Sequence, residues 1–440
     1  MRLLSKPHLA VENVAFWQIF KFSSLLTLVG YVNSFISKIC RKIIDIFSQS
    51  EFRKKSMSSR NMIESNRVVA HLRPVCAHPA WIEIDTKQFK KNLAAIRQMI
   101  GKRLFCLPVK ANAYGHGLCK IAQIAEEAGV DSLGVSCLKE AIELRLHGIS
   151  IPIVIFGAIH EDQIGDLIEF DLEFSISSKF KAELVAKKIG QTTRRCRVHI
   201  EVDTGMRRTG VRPENAFSLL SFVEGLGCFD VVGIYSHFAT ADVPNDPFAL
   251  HQIETFRSLV VRMNKPGLCC HLANSGGVLY YPDSYFDMVR PGLLAYGYSP
   301  DGKTDFRGEI APCLKLKAKI SYFKVVQKDA GISYGHTYRT REETRIATVP
   351  VGHGDGYRRS LFKNASVLIR NERFPIAGTI CMDQFMVDIG KKEAYVGDEV
   401  VLIGKQGGEE ITLWELAQYA DSIPHEMLAA FNDRLPRLYL

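Results

Sequence analysis

The 11 cysteines of this 440-residue chain include no CxxC pair. No disulfide framework and no metal site is read from them; they read as buried small hydrophobes of a reducing compartment such as the cytoplasm. No small-residue cleavage site follows the apolar N-terminal stretch, so no signal peptide is read. The charge-free run FSSLLTLVGYVNSFIS, residues 22–37, has 16 residues, short of the roughly 20 that span a bilayer. Outside one segment there is little net charge. Residues 1–77 hold 12 Lys and Arg against 4 Asp and Glu, which is +8 of the total +9. The remaining 363 residues carry about +1. The basic excess therefore gives no reason to expect nucleic-acid binding. There is no internal repeat, no low-complexity tract, and no Gly-rich dinucleotide fingerprint after the first strand-like run.

The segment 1–77 reads as a basic, partly apolar extension. FISKICRKIIDIF, residues 35–47, sets Ile36, Ile39, Ile43 and Ile44 among Lys38, Arg41 and Lys42. A basic amphipathic helix of this kind can lie on an anionic membrane surface. Disorder is the alternative, and Met57 and Met62 are alternative starts.

From Ala80 the pattern changes. Trp81–Asp85 alternates like a strand, and Thr86 caps a helical stretch with Phe89, Leu93, Ile96 and Met99 on one face. Strand-like runs recur at 104–109, 132–136, 152–156, 172–176, 197–202, 231–235 and 269–273, with helical stretches between most of them. Such alternation argues for parallel strands, and about eight units argue for a (β/α)8 barrel over residues 78–305. An open doubly wound sheet is the structural rival. In a barrel the chemistry gathers at the C-terminal strand ends. Beyond residue 305 the period becomes two, beginning with LKLKAKI at 314–320, and residues 306–440 read as a β-rich second domain.

Several runs end in reactive residues. Lys110 closes one, and His237 closes YSH. Asn274 and Ser275 lead into Gly276-Gly277, and Arg290 precedes Pro291-Gly292. A strand-end lysine is either a solvated edge residue or an amine held in a pocket. In a barrel these residues converge on one rim. Ser275 with the Gly pair offers backbone N–H groups to a phosphate. A buried amine beside cations loses proton affinity and can attack an aldehyde. Lysine, phosphate cradle and ring clamp together suit pyridoxal 5'-phosphate.

Val109-Lys-Ala-Asn-Ala-Tyr-Gly-His-Gly117 resembles the cofactor-lysine signature of alanine racemases. Asp203–Val211 (DTGMRRTGV), Ala273-Asn-Ser275, Val289-Arg-Pro-Gly292, Ser333-Tyr-Gly335, Asp355-Gly-Tyr357, Cys381-Met-Asp383 and Arg434-Leu-Pro-Arg437 resemble further blocks of that family, in order, over residues 78–440. The resemblance implies a pyridoxal-phosphate enzyme that interconverts L- and D-alanine and supplies D-alanine for peptidoglycan. It implies that Lys110 holds the cofactor as a Schiff base and is the base on the D side, with Tyr334 the base on the L side. Tyr114, Ser275 and Tyr357 would bind the phosphate with the amides of Gly292 and Leu293, beside Asn274. His237 would lie by the ring and bond to Arg290, which would face the ring nitrogen. Arg208 and the Met382 backbone would hold the substrate carboxylate. Tyr334 and Met382 would come from the partner in a head-to-tail homodimer.

Two positions depart from the family pattern. Glu201 stands where a lysine, carbamylated in some members, is frequent, and it would supply the negative charge that orients Arg208. His353 stands where tyrosine is common, which bears on substrate access. Barrel decarboxylases share the lysine stretch but typically carry a Gly-Gly-Gly loop, and none occurs here. A non-catalytic cofactor carrier would lack the second domain, and a racemase for a larger amino acid would share every block.

Overall fold

The computed structural model describes residues 79–189, 195–302 and 309–440. The extension 1–77, with its membrane-surface reading, and the join at 305/306 lie outside the described residues. Among the described residues no helix is long and apolar enough to cross a membrane.

The strand β1 (Ala80–Ile84) leads into a helix over Thr86–Ile100. Asp85 rather than Thr86 is the N-cap: its carboxylate accepts from Gln88 N at 2.8 Å. The first helical turn leaves its N–H groups without partners, and a side-chain oxygen one residue upstream reaches them. Eight parallel strands then close a barrel: β2 (Leu104–Pro108), β3 (Ser132–Val135), β4 (Ile153–Ile155), β5 (Glu173–Ile176), β6 (Cys196–Glu201), β7 (Phe229–Tyr235), β8 (Cys269–His271) and β9 (Met288–Val289). Their burial is nearly continuous in β3 and β4, as parallel strands covered on both faces require.

The structure reassigns the first strand. β1 is not a barrel strand. It pairs antiparallel with β10 (Leu314–Lys319) and parallel with Arg437–Tyr439, within the seven-stranded sheet of the second domain. The reason is in its pattern: Ala80, Ile82 and Ile84 are buried while Trp81 and Glu83 are half-buried, a two-faced strand suited to a sheet with one wet side. The eighth barrel strand is the two-residue β9, directly before Arg290.

The chain's end returns to the barrel. Arg437 Nε donates to Gly115 O at 3.0 Å, and the Tyr439 hydroxyl donates to His116 O at 3.1 Å. A Cβ at Gly115 would lie 2.2 Å from Leu428 O of the helix Pro424–Ala430. The terminal RLPR block thus clamps the turn that carries Lys110.

Candidate active site

Lys110 opens an unusual turn. Ala111, Asn112, Ala113 and Tyr114 all have φ between 52° and 55°, a left-handed turn without glycine. Each such residue costs roughly 1–2 kcal/mol, so the surroundings must hold it. Ala111 N donates to Glu140 Oε1 at 2.6 Å, and Ala113 N donates to Val109 O at 2.8 Å. Asn112 Oδ1 accepts from Leu118 N at 2.7 Å. The buried His116 Nδ1 bonds the carbonyls of Tyr114, at 2.7 Å, and Ala113, at 3.1 Å.

Lys110 is exposed at the barrel mouth, yet its amine is held below the usual ammonium range. Desolvation is the first cause and the Arg208 and Arg290 charges the next; Glu140 opposes them.

Tyr114 stacks on Tyr296 with ring centroids 4.8 Å apart. Burial pushes its phenol up, so it stays a neutral O–H donor. The hydroxyl has no hydrogen-bond partner among the described residues. It faces Gly292, where a Cβ would stand 2.5 Å from it. Ser275 is buried and its Oγ accepts from Leu294 N at 3.1 Å, leaving its own O–H to donate. The amides of Gly292 and Leu293 open the short helical turn Leu293–Tyr296 and lack helical acceptors. A partnerless phenol, a serine hydroxyl and free amides around a residue with no side chain fit a phosphate. Asn274 is structural at this point: its side chain caps the helix Ser275–Tyr280 by accepting from Gly277 N at 2.9 Å. Gly292→Ala is expected to push Tyr114 aside and weaken pyridoxal-phosphate binding at least about tenfold, since overpacking costs roughly 1–3 kcal/mol. Titration of the apoprotein with the cofactor, followed by absorbance, checks it.

Arg290 is buried behind this cradle. Its Nη2 donates to Ser236 O at 2.7 Å and Leu272 O at 3.2 Å, and its guanidinium lies 5.2 Å from the Tyr235 ring centroid. The expected bond to His237 is long, 3.5 Å from Nη2 to Nδ1. The short one goes to His271 Nδ1, 2.5 Å from Nη1. His237 remains at the mouth, its imidazole pushed down to about 3 by burial and by Arg290, Arg208 and Lys110. Sequence reading passed over His271, although the pattern HLAN carries it one strand-end before Asn274.

Arg208 lies on the rim, near enough to bear on Lys110, His237 and Glu201. Glu201 ends β6, is buried, and accepts from Thr209 Oγ1 at 2.6 Å. Burial pushes its carboxyl up, against Thr209 and the Arg208 charge.

Tyr357 is fully buried, its ring stacked on Phe385 at 5.5 Å and its hydroxyl without a hydrogen-bond partner. That buried, unpartnered phenol is an orphaned donor of the kind a phosphate would satisfy. Tyr334 and Met382 are 71% and 58% exposed on the second domain. Tyr334 has a firm base: Thr379 Oγ1 donates to its carbonyl at 3.1 Å, and Ser333 Oγ donates to Thr379 O at 2.5 Å. Met382 O accepts from Gly354 N at 2.8 Å. His353 lines a cavity of about 440 Å³ with Arg358, Arg359 and Asn432. Sequence reading also missed His425, whose ring lies 5.9 Å from that of Tyr114 and whose imidazole is lowered by burial and by the Lys110 charge.

A family model described as alanine racemase, N-terminal domain, matches residues 84–300, and one described as alanine racemase, C-terminal domain, matches 313–439. The alanine racemase of Desulforamulus reducens is 39% identical over 374 residues, covering 82% of this chain and 99% of the relative. That of Symbiobacterium thermophilum is 38% identical, covering 82% and 97%. Among solved structures, the alanine racemase of the D-cycloserine producer Streptomyces lavendulae superposes with a TM-score of 0.78 at 34% identity, over 82% of this chain and 97% of that one. The Bacillus anthracis alanine racemase with bound L-Ala-P gives 0.78 at 34%, over 83% and 96%.

Proposed function

The chain belongs to the alanine racemase family, and from that premise we propose that it interconverts L- and D-alanine on pyridoxal 5'-phosphate held at the barrel mouth by Lys110, in a homodimer whose partner supplies the second base. The carrying observation is the convergence of a lysine of lowered proton affinity, a phosphate-shaped cradle and a buried arginine on one rim.

When bound, the cofactor supplies an electron sink for the carbanion left as the substrate loses its α-proton. Tyr114, Ser275 and Tyr357 would hold the phosphate with the amides of Gly292 and Leu293. Arg290 would face the ring nitrogen. Its guanidinium has donors only, so it would leave that nitrogen unprotonated and restrain charge delocalisation, which would disfavour transamination. Arg208, with the Met382 backbone, binds the substrate carboxylate. Lys110, its proton affinity lowered by desolvation and by the Arg208 and Arg290 charges, would move the α-proton on the D face. Tyr334 of the partner subunit moves it on the L face, since two bases on opposite sides of a planar carbon invert it directly. One feature supports a head-to-tail dimer: Tyr334 and Met382 are exposed, Tyr334 on a hydrogen-bonded base. The product D-alanine would serve peptidoglycan synthesis.

Incubation of the reconstituted enzyme with L-alanine in heavy water tests this. Loss of optical rotation with α-deuterium in both enantiomers is expected. Exchange with retained L configuration would remove Tyr334 from its role.

Glu201 is the anion that aims Arg208. Glu201→Gln is expected to raise KM for alanine about tenfold with kcat little changed, the loss of a charge's pull on Arg208 of roughly 1.4 kcal/mol. Unchanged steady-state constants would dismiss it.

A further inference from the structure

Arg290 forms no ion pair with any carboxylate among the described residues, yet it is buried. Its compensation runs the other way, down the barrel. Arg290 Nη1 bonds His271 Nδ1 at 2.5 Å. His271 Nε2 bonds His199 Nδ1 at 3.0 Å. His199 Nε2 bonds Glu173 Oε2 at 2.8 Å. Glu173 Oε1 meets Arg197 Nη2 at 2.6 Å. Glu173 is the first residue of β5 and Arg197 the second of β6, both at the N-terminal floor; Arg290 is at the opposite rim. The two imidazoles and Glu173 are buried, whereas Arg197 is 45% exposed.

The chemistry of the ends fixes the direction of every bond. Arginine only donates, so His271 Nδ1 is bare and its proton sits on Nε2. That proton must go to His199 Nδ1, which is then also bare. His199 carries its proton on Nε2 and gives it to Glu173. One polarity satisfies all four groups. His271, Ser236 and Leu272 take three of the five Arg290 N–H donors, and His237 Nδ1 lies 3.5 Å from Nη2.

We propose that Glu173, about a barrel's length from the chemistry, is a positioning residue that fixes the tautomers of His199 and His271 and so holds Arg290 in one donor orientation. Second-sphere partners of this kind commonly cost 10- to 100-fold when removed from metal sites, and the same orienting logic applies to a ring ligand. Only the kinetic arm of the test rests on the proposed function.

The first measurement is two-bond proton–nitrogen correlation on the nitrogen-15-labelled apoprotein. Both imidazoles should show the proton on Nε2. A proton on Nδ1 of either ring overturns the proposal, whether or not the enzyme racemises alanine. Glu173→Leu removes the acceptor and should split both rings between tautomers; in the cofactor-loaded enzyme kcat should fall about tenfold while KM for alanine moves less than about twofold. Glu173→Gln keeps an acceptor oxygen and should restore both readouts. If Glu173→Leu does not fold, His199→Phe cuts the relay in its middle with the ring volume kept, and should lower kcat comparably. Rings and kcat unchanged in whichever of these variants folds would overturn the assignment.

Discussion

Lys110→Ala is expected to abolish racemisation to within a residue of about one part in a thousand or less, the scale of losing a positioned acid–base group together with its covalent hold. The folded structure should survive it. The lysine is exposed, and the left-handed turn behind it is secured by Glu140, Asn112 and His116 rather than by the lysine. Folding lowers the proton affinity of this amine, so the unfolded chain binds more protons between the folded and unfolded values. Stability then rises with pH across that window, and the lysine costs stability below it. The alanine variant should therefore unfold at the same denaturant concentration as the parent, or a higher one, at neutral pH. Borohydride, which fixes the cofactor to the parent chain, should fix none to the variant. A variant that still racemises at more than about a tenth of the parent rate would move the D-side base elsewhere on the rim, His237 being the nearest candidate.

Tyr334→Phe is expected to lower racemisation about 10²- to 10⁴-fold, and asymmetrically. Exchange of the α-hydrogen of D-alanine should persist because Lys110 remains, while that of L-alanine should fall. The same variant tests the shared site. A protomer with Lys110→Ala and one with Tyr334→Phe are each inactive as homodimers. In their heterodimer one site joins an intact Lys110 to an intact Tyr334. An equal mixture, dissociated and reassembled, should regain activity from about a quarter of all sites by random pairing of a two-fold dimer. No recovery, with heterodimers demonstrated by mass, would show that each site is built within one chain.

Much of this protein is legible in its residues. Alternating strand and helix runs give a barrel, LKLKAKI gives the change of period, and the strand-end residues Lys110, His237, Ser275 and Arg290 are gathered at one mouth. Those readings depend on local pattern, and burial imposes local pattern directly. The misreading of the first strand has a physical cause. β1 has strand periodicity, but periodicity does not name a partner, and it went to the second domain's sheet while the two-residue β9, too short to show a period, closed the barrel. Tyr357 stands in a family-like block, but its stacking on Phe385, 28 residues on, was not legible in the sequence.

The sequence by itself determined the chemical inventory: an amine, a donor-only cation, hydroxyls and side-chain-free backbone at strand ends. The tertiary structure alone decided which of these touch. Arg290 takes His271 rather than His237 because β8 delivers His271 at its height in the barrel, and Glu173 joins them only because β5 and β6 bring Glu173 and His199 into one column. Register between strands far apart in the chain sets those heights, and no local run of residues encodes it.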